Sequence, residues 1–187
     1  INLALVLDNS GSMSGQPLQA AKDTAMAVAE LLGPEDMLSL VTFATETEVI
    51  LHHEQMDSAG KDRARQLISR IQTRGSTNLS GGWFEGAKIL SEVMESGEEY
   101  VHHLILLSDG YANQGLLDVD VLCGHVTAMR ERGMSTSCVG FGDNYEMKWL
   151  ESMAEAGGGR LHDAEQPEEI AEVLLGEPGE VRQTVLE

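Results

Sequence analysis

Leu3-Ala4-Leu5-Val6-Leu7-Asp8-Asn9-Ser10-Gly11-Ser12 joins an unbroken apolar run to a polar turn. The turn carries one carboxylate and two hydroxyls at alternate positions. A nearly continuous apolar run, rather than an alternating one, reads as a strand covered on both faces. Asp8, Ser10 and Ser12 then lie just past the carboxyl end of that strand, the region where open α/β sheets bind ligands. Side chains offering only oxygen suit a hard cation such as Mg²⁺.

Outward from this run, strand and helix signals alternate to the end of the chain. Pro17 occupies a tolerated first helical position. Leu18, Ala21, Ala25, Val28 and Leu32 follow at spacings of three and four, and Gly33-Pro34 ends that helix. Met37 to Phe43 reads as a strand, and Glu48 to His52 as a short strand turning back at Ala44-Thr45-Glu46. Asp57 or Ser58 caps a helix with Ala64, Leu67, Ile68 and Ile71 inward. After the break at Gly75-Ser76-Thr77-Asn78, a helix runs from about Leu79 to Glu95, with Phe84, Ala87, Leu90 and Val93 as its buried face.

Val101 to Leu107 is a second strongly apolar strand and ends in Ser108-Asp109-Gly110. Asp118 or Asp120 opens a helix bearing Val119, Leu122, Val126 and Met129, and Ser135 to Phe141 is a further strand. A loop at Gly142 to Tyr145, a helix marked by Met147, Leu150 and Ala154, a strand at Arg160 to His162 and a helix from Pro167 to Leu175 complete the series. The fold class is therefore α/β: a three-layer α/β/α sandwich around a doubly wound, mainly parallel sheet with one short antiparallel edge strand, Rossmann-like in plan. One domain is expected over residues 1–175. Gly176-Glu177-Pro178-Gly179 reads as a linker, so residues 176–187 are a linker and the possible start of a following domain. The chain opens inside its first strand, so it is expected to be part of a larger chain.

At 187 residues and 42% hydrophobic content the chain can bury a substantial core. No segment approaches the roughly 18 consecutive apolar residues that cross a bilayer, so direct membrane insertion is not expected. Twelve basic against 31 acidic residues give a net charge of −19. Such a surface repels phosphate backbones and anionic lipid, which argues against nucleic acid as a partner. Cys123 and Cys138 form neither a zinc spacing nor a disulfide framework. Both read as free core thiols, a weak pointer to a reducing, cytoplasmic compartment.

Parallel topology places all strand carboxyl ends on one rim, and with them Asp8 to Ser12, Gly75 to Thr77, Asp109 to Gly115 and Gly142 to Tyr145. Asp8, Ser10, Ser12, Thr77 and Asp109 supply three hydroxyls and two carboxylates. Mg²⁺ keeps several waters in a near-octahedral shell, which leaves room for one exchangeable ligand. A protein partner could fill that place with a Glu or Asp carboxylate. Mn²⁺ or Ca²⁺ would suit the same oxygens.

This pattern resembles the von Willebrand factor type A domain and its metal-ion-dependent adhesion site. The likeness runs from Asn2 to about Leu175. The family motif of Asp-x-Ser-x-Ser, then Thr, then Asp is met by Asp8, Ser10, Ser12, Thr77 and Asp109. The resemblance implies that Ser10, Ser12 and Thr77 ligate metal directly in the ligand-engaged form, with Asp8 and Asp109 often acting through water. A neighbouring calcium site of some relatives needs paired aspartates soon after the serines. Here Met13-Ser14-Gly15-Gln16 stands there, so no such second site is expected.

Three other readings compete. The Asp-Asn-Ser-Gly-Ser segment could be only a capped strand-to-helix turn, and the scaffold could retain its motif without using metal. A phosphoryl-transfer enzyme of the haloacid-dehalogenase type resembles the chain in placing an Asp at a strand end. That chemistry wants a second Asp two residues on, where Ser10 stands. No phosphate-binding glycine fingerprint with its lysine is present either. None of the six histidines falls in the rim segments, so the chain reads as a binding module and not an enzyme.

His52-His53 and His102-His103 read as solvated strand-edge residues, because neighbours on a strand point to opposite faces and cannot converge on one ion. The methionines are core filler. Trp83 and Phe84 are expected to pack under their helix. Tyr111, Asn113, Gln114, Asn144 and Tyr145 are the rim candidates for partner specificity, since loops vary where scaffolds do not.

Overall fold

The computed structural model describes residues 1–142, 146–164 and 167–186, with side chains described as far as residue 176. The strands are β1 (Asn2–Asp8), β2 (Met37–Phe43), β3 (Thr47–Gln55), β4 (His102–Ser108), β5 (Met134–Gly140) and β6 (Gly158–Asp163). The helices are α1 (Gln16–Leu31), α2 (Ser58–Ser69), α3 (Leu79–Glu95), α4 (Val119–Glu131), α5 (Met147–Ala156) and α6 (Pro167–Leu186), with a 3₁₀ turn at Gly11–Met13. The strands form one sheet in the order β3-β2-β1-β4-β5-β6. All pairings are parallel except that of β2 with β3.

The apolar run that opens the chain is β1, at the centre of the sheet and wholly buried. Its side chains alternate between two cores. Leu3, Leu5 and Leu7 face a layer built from α1, α2 and α6, through Ala25, Val28, Ile68 and Leu174 among others. Ala4 and Val6 face the layer of α3, α4 and α5, with Trp83, Leu90, Val126 and Met153. From β1 the chain winds one way to β2, and from β4 the other way to β5. The crevice where the winding reverses, between the carboxyl ends of β1 and β4, is the usual ligand position in such sheets.

The structure departs from the sequence reading at several places. Phe84 is 37% exposed whereas Trp83 is 1% exposed. Gly82 and Gly86 bring α3 against the sheet, and a Cβ on Gly86 would lie 2.6 Å from Val6 Cγ2. That close approach fixes the inward face at Leu79, Trp83, Gly86 and Leu90, and Phe84 falls off it, edge-on to the His125 ring at 5.1 Å. Cys138 is buried but Cys123 only half-buried, and neither is in a disulfide. The last helix runs past Leu175 to Leu186. Gly176 and Pro178 weaken a helix, Pro by removing one N–H, without forbidding its backbone from continuing.

The histidines also differ. His102 and His103 are buried, because β4 is a central strand with neighbours on both sides. His102 Nδ1 accepts from Asn2 Nδ2 at 2.9 Å, and His103 Nδ1 lies 2.6 Å from Ser135 Oγ. Burial holds the His102 imidazole below its ordinary pKa. His52 and His53 do not point to opposite faces. The β2–β3 register shifts between Leu38 and Val41, and His53 has φ 49°, so their rings stack with centroids 4.1 Å apart.

Candidate functional site

Asp8 ends β1 beside the end of β4, because the register pairing Leu7 with Leu107 sets Asp8 level with Ser108. Its carboxylate is fully buried. Asp8 Oδ1 accepts from the Ser10 amide at 2.9 Å and from Ser10 Oγ at 2.6 Å, and Oδ2 accepts from Ser108 Oγ at 2.7 Å. Ser10 Oγ lies 3.2 Å from Ser12 Oγ. Ser10 is buried while Ser12 is exposed, so the cluster opens to solvent on the Ser12 side.

Burial pushes the Asp8 carboxyl up to about 6. The hydrogen bonds from Ser10 and Ser108 oppose that rise, and the nearby Asp109 charge adds a little to it. Asp109 is itself 4% exposed, and its Oδ1 accepts from the Tyr111 amide at 3.1 Å. The donors that meet the Asp8 carboxylate are hydroxyls and an amide, all neutral. Two acidic groups thus share a buried rim position with no cation supplied by those contacts.

Thr77 reaches this rim on the loop between α2 and α3. Gly75 has φ 60° and its carbonyl accepts from the Gly11 amide at 3.0 Å, stitching the Thr77 loop to the serine turn. A Cβ at Gly75 would lie 2.5 Å from Thr45 Oγ1, so glycine is required there on both counts. Thr45 Oγ1 in turn accepts from the Ser76 amide at 2.8 Å. The Thr77 amide donates to Asn113 Oδ1 at 2.8 Å, and the Thr77 carbonyl accepts from the amides of Asn113 and Gln114, both at 3.0 Å. Asn78 Oδ1 accepts from the Gly81 amide at 2.9 Å and caps α3.

The structure therefore gathers all five sequence-predicted residues at one rim: Asp8, Ser10 and Ser12 in a hydrogen-bonded turn, Asp109 at the end of the adjoining strand, and Thr77 on a loop fastened to both. Of the rim candidates, Tyr111 is 47% exposed and Gln114 is exposed. Asn113 differs from expectation, since its side-chain oxygen is engaged in holding Thr77. Asn144 and Tyr145 lie outside the described residues. Ser108 was not singled out by the sequence, although a hydroxyl ending an apolar strand beside Asp109 was a visible signal. Nor was Asn9, whose amide donates to the Phe43 carbonyl at 3.0 Å and whose Nδ2 donates to the Gln72 carbonyl at 3.0 Å, anchoring the turn to β2 and to the segment after α2.

A doubly wound sheet with an Asp-x-Ser-x-Ser turn, a Thr loop and an Asp on one rim defines a von Willebrand factor type A domain. The chain belongs to that family, whose description matches residues 2–174. It is 31% identical over 170 residues to an uncharacterised protein of Synechocystis sp., covering 90% of this chain and 39% of that one. It is 30% identical over 190 residues to human inter-alpha-trypsin inhibitor heavy chain H1, covering 99% of this chain and 21% of that one. The chain thus spans well under half the length of these relatives. Among solved structures, proximal thread matrix protein 1 from the mussel byssus, with a zinc-occupied metal-ion-dependent adhesion site, superposes with a TM-score of 0.67. That match has 19% identity and covers 98% of this chain and 45% of the other.

Proposed function

We propose that this domain is a divalent-metal-dependent protein-interaction module. In this reading Asp8, Ser10, Ser12, Thr77 and Asp109 form a metal-ion-dependent adhesion site that holds Mg²⁺ and offers it to a Glu or Asp carboxylate of a partner protein. The observation that carries the proposal is Asp8: a buried carboxyl raised to about 6, ringed by neutral donors and close to a second acid. A cation at this rim would relieve both the burial penalty and the repulsion from Asp109.

The donor set fits such an ion. Three hydroxyls and two carboxylates are hard oxygen ligands, and Mg²⁺ is commonly bound through one or two carboxylates with water completing its shell. Ser10, Ser12 and Thr77 would ligate directly, with Asp8 and Asp109 acting through water. Mn²⁺ or Ca²⁺ could take the same place, and zinc in the mussel relative supports a divalent ion of some kind. Tyr111, Gln114 and the neighbouring Asn113 border the opening and would contribute to partner choice, together with Asn144 and Tyr145. The domain would work as one part of a larger assembly, through binding and not catalysis.

Calorimetry with Mg²⁺ and Mn²⁺ tests the reading. Ser10→Ala or Asp109→Ala should weaken binding at least about tenfold, in line with losing a ligand. A wild-type protein that gives no heat and no thermal stabilisation in millimolar metal would discard the metal-dependent reading.

A further inference from the structure

A second cluster of ligating side chains lies at the opposite end of the sheet. In a regular strand His52 and His53 would face opposite ways. In β3 they do not. The register shift against β2 and the positive φ of His53, 49°, turn both rings to the α3 side. The amide of His53 donates to Ser39 Oγ at 3.0 Å, which holds the turned backbone in place. Positive φ is uncommon outside glycine, although His tolerates it better than most residues.

The two rings stack at 4.1 Å with 28° between their planes, and Glu92 on α3 reaches them both. His52 Nε2 lies 2.9 Å and His53 Nε2 3.9 Å from Glu92 Oε2. One ligand atom from each of the three residues lies within 4.8 Å of the others. We propose that His52, His53 and Glu92 form a second metal site, of two imidazoles and one carboxylate, that takes a borderline transition-metal dication, Zn²⁺ first among them.

The geometry fits the ion. Zinc sits about 2.0–2.2 Å from nitrogen and oxygen ligands, so tetrahedral neighbours stand about 3.3 Å apart. The observed 2.9 and 3.9 Å bracket that edge, and small side-chain adjustments equalise them. His52 and Glu92 are about half exposed, which gives an entry path and leaves a fourth position to water. His53 Nε2 also lies 2.9 Å from the Ile89 carbonyl. That carbonyl is inside α3 and has its own helical donor four residues on, so metal can displace the imidazole bond without orphaning it.

The site is chemically and spatially separate from the first. Glu92 stands 13 residues along α3 from Leu79, or about 20 Å of helix from the end next to Thr77. Imidazole ligands favour zinc, nickel or copper, whereas Mg²⁺ prefers oxygen alone. The proposal therefore does not depend on the adhesion-site reading.

The test titrates zinc into a Ser10→Ala/Asp109→Ala protein, which lacks two of the first site's ligands, in the presence of millimolar Mg²⁺. One equivalent should bind, and adding His52→Gln or Glu92→Gln should weaken it at least tenfold. His53→Asn should do the same while keeping a residue that accepts positive φ. In wild-type protein saturated with Mg²⁺, zinc should shift the imidazole signals of His52 and His53 in proton NMR ahead of those of the other histidines. Absence of zinc binding, binding unchanged by His52→Gln and Glu92→Gln, or first shifts at other histidines would each overturn the proposal.

Discussion

Ser108 Oγ donates a 2.7 Å hydrogen bond to Asp8 Oδ2 across the seam between β4 and β1. The same hydroxyl oxygen accepts from the Gly110 amide at 2.9 Å, so one buried group aims the Asp8 carboxylate and shapes the turn bearing Asp109. Asp8 is consequently held from two sides, by Ser10 on its own turn and by Ser108 on the neighbouring strand. The carboxylate has little freedom left, which pre-orients it for whatever occupies the rim.

Ser108→Ala removes that support while changing almost no volume. It leaves a buried carboxylate oxygen and the Gly110 amide each without a partner, a loss of about 1–3 kcal/mol. Urea unfolding in the presence of a chelator should register this at neutral pH. Mg²⁺ affinity should fall as well, because the freed carboxyl becomes harder to ionise and less well aimed. Unchanged stability would mean that water replaces the hydroxyl without cost.

The raised pKa of Asp8 makes the metal-free protein less stable as pH rises. Its folded value of about 6 lies above the ordinary carboxyl value of 3.8, so the folded state binds the extra proton between those limits. Stability from this group is therefore greatest below about pH 4 and declines through about pH 6, by about 3 kcal/mol in all. Asp8→Asn cannot ionise and should lose this slope, unfolding at a higher temperature than wild type at pH 7.5 in chelator. The same variant should gain little from added Mg²⁺. A wild-type profile that is flat from pH 4 to 7, compared with Asp8→Asn, would contradict the buried-charge account of the rim.

Much of this arrangement was legible in the sequence because the signals were local. An apolar run wide enough for one strand, helices with their own breaks, and polar residues at strand ends fixed the α/β plan and the five rim residues. What was not legible depended on packing between elements. Phe84 and Trp83 are equally apolar neighbours, and only the Gly82/Gly86 approach to the sheet decides which turns inward. His102 and His103 read as solvated because a polar pair at the start of an otherwise apolar strand gives no sign that β1 and β5 cover it that far along. His52 and His53 were misread for a different reason. The alternation rule holds only for a regular strand, and the bulge in β3 leaves no glycine or proline to mark it.

Trp83 gives a control that separates scaffold from site. Its indole is buried in the core beneath α3 and Nε1 donates to Thr136 Oγ1 at 3.2 Å. Trp83→Phe removes that bond and part of a large side chain, at a cost of about 1–3 kcal/mol. The melting temperature should drop by roughly 2–10 °C for a domain of this size. Mg²⁺ affinity measured well below that temperature should stay within about twofold of wild type. A large loss of affinity would instead tie the α3 core directly to the rim.

Gly75→Ala addresses the loop that delivers Thr77. At φ 60° an alanine costs about 1–2 kcal/mol in backbone conformation alone. Its Cβ would also press on Thr45 Oγ1, the acceptor for the Ser76 amide. Relief of that contact must move either Thr45 or the loop, and loop movement breaks the bond from the Gly11 amide that joins Thr77's segment to the serine turn. The substitution should therefore lower Mg²⁺ affinity by more than tenfold while the far-ultraviolet circular dichroism and the core stay native. Calorimetry on the folded variant decides it. Affinity equal to wild type would show that Thr77 is not held in position through Gly75.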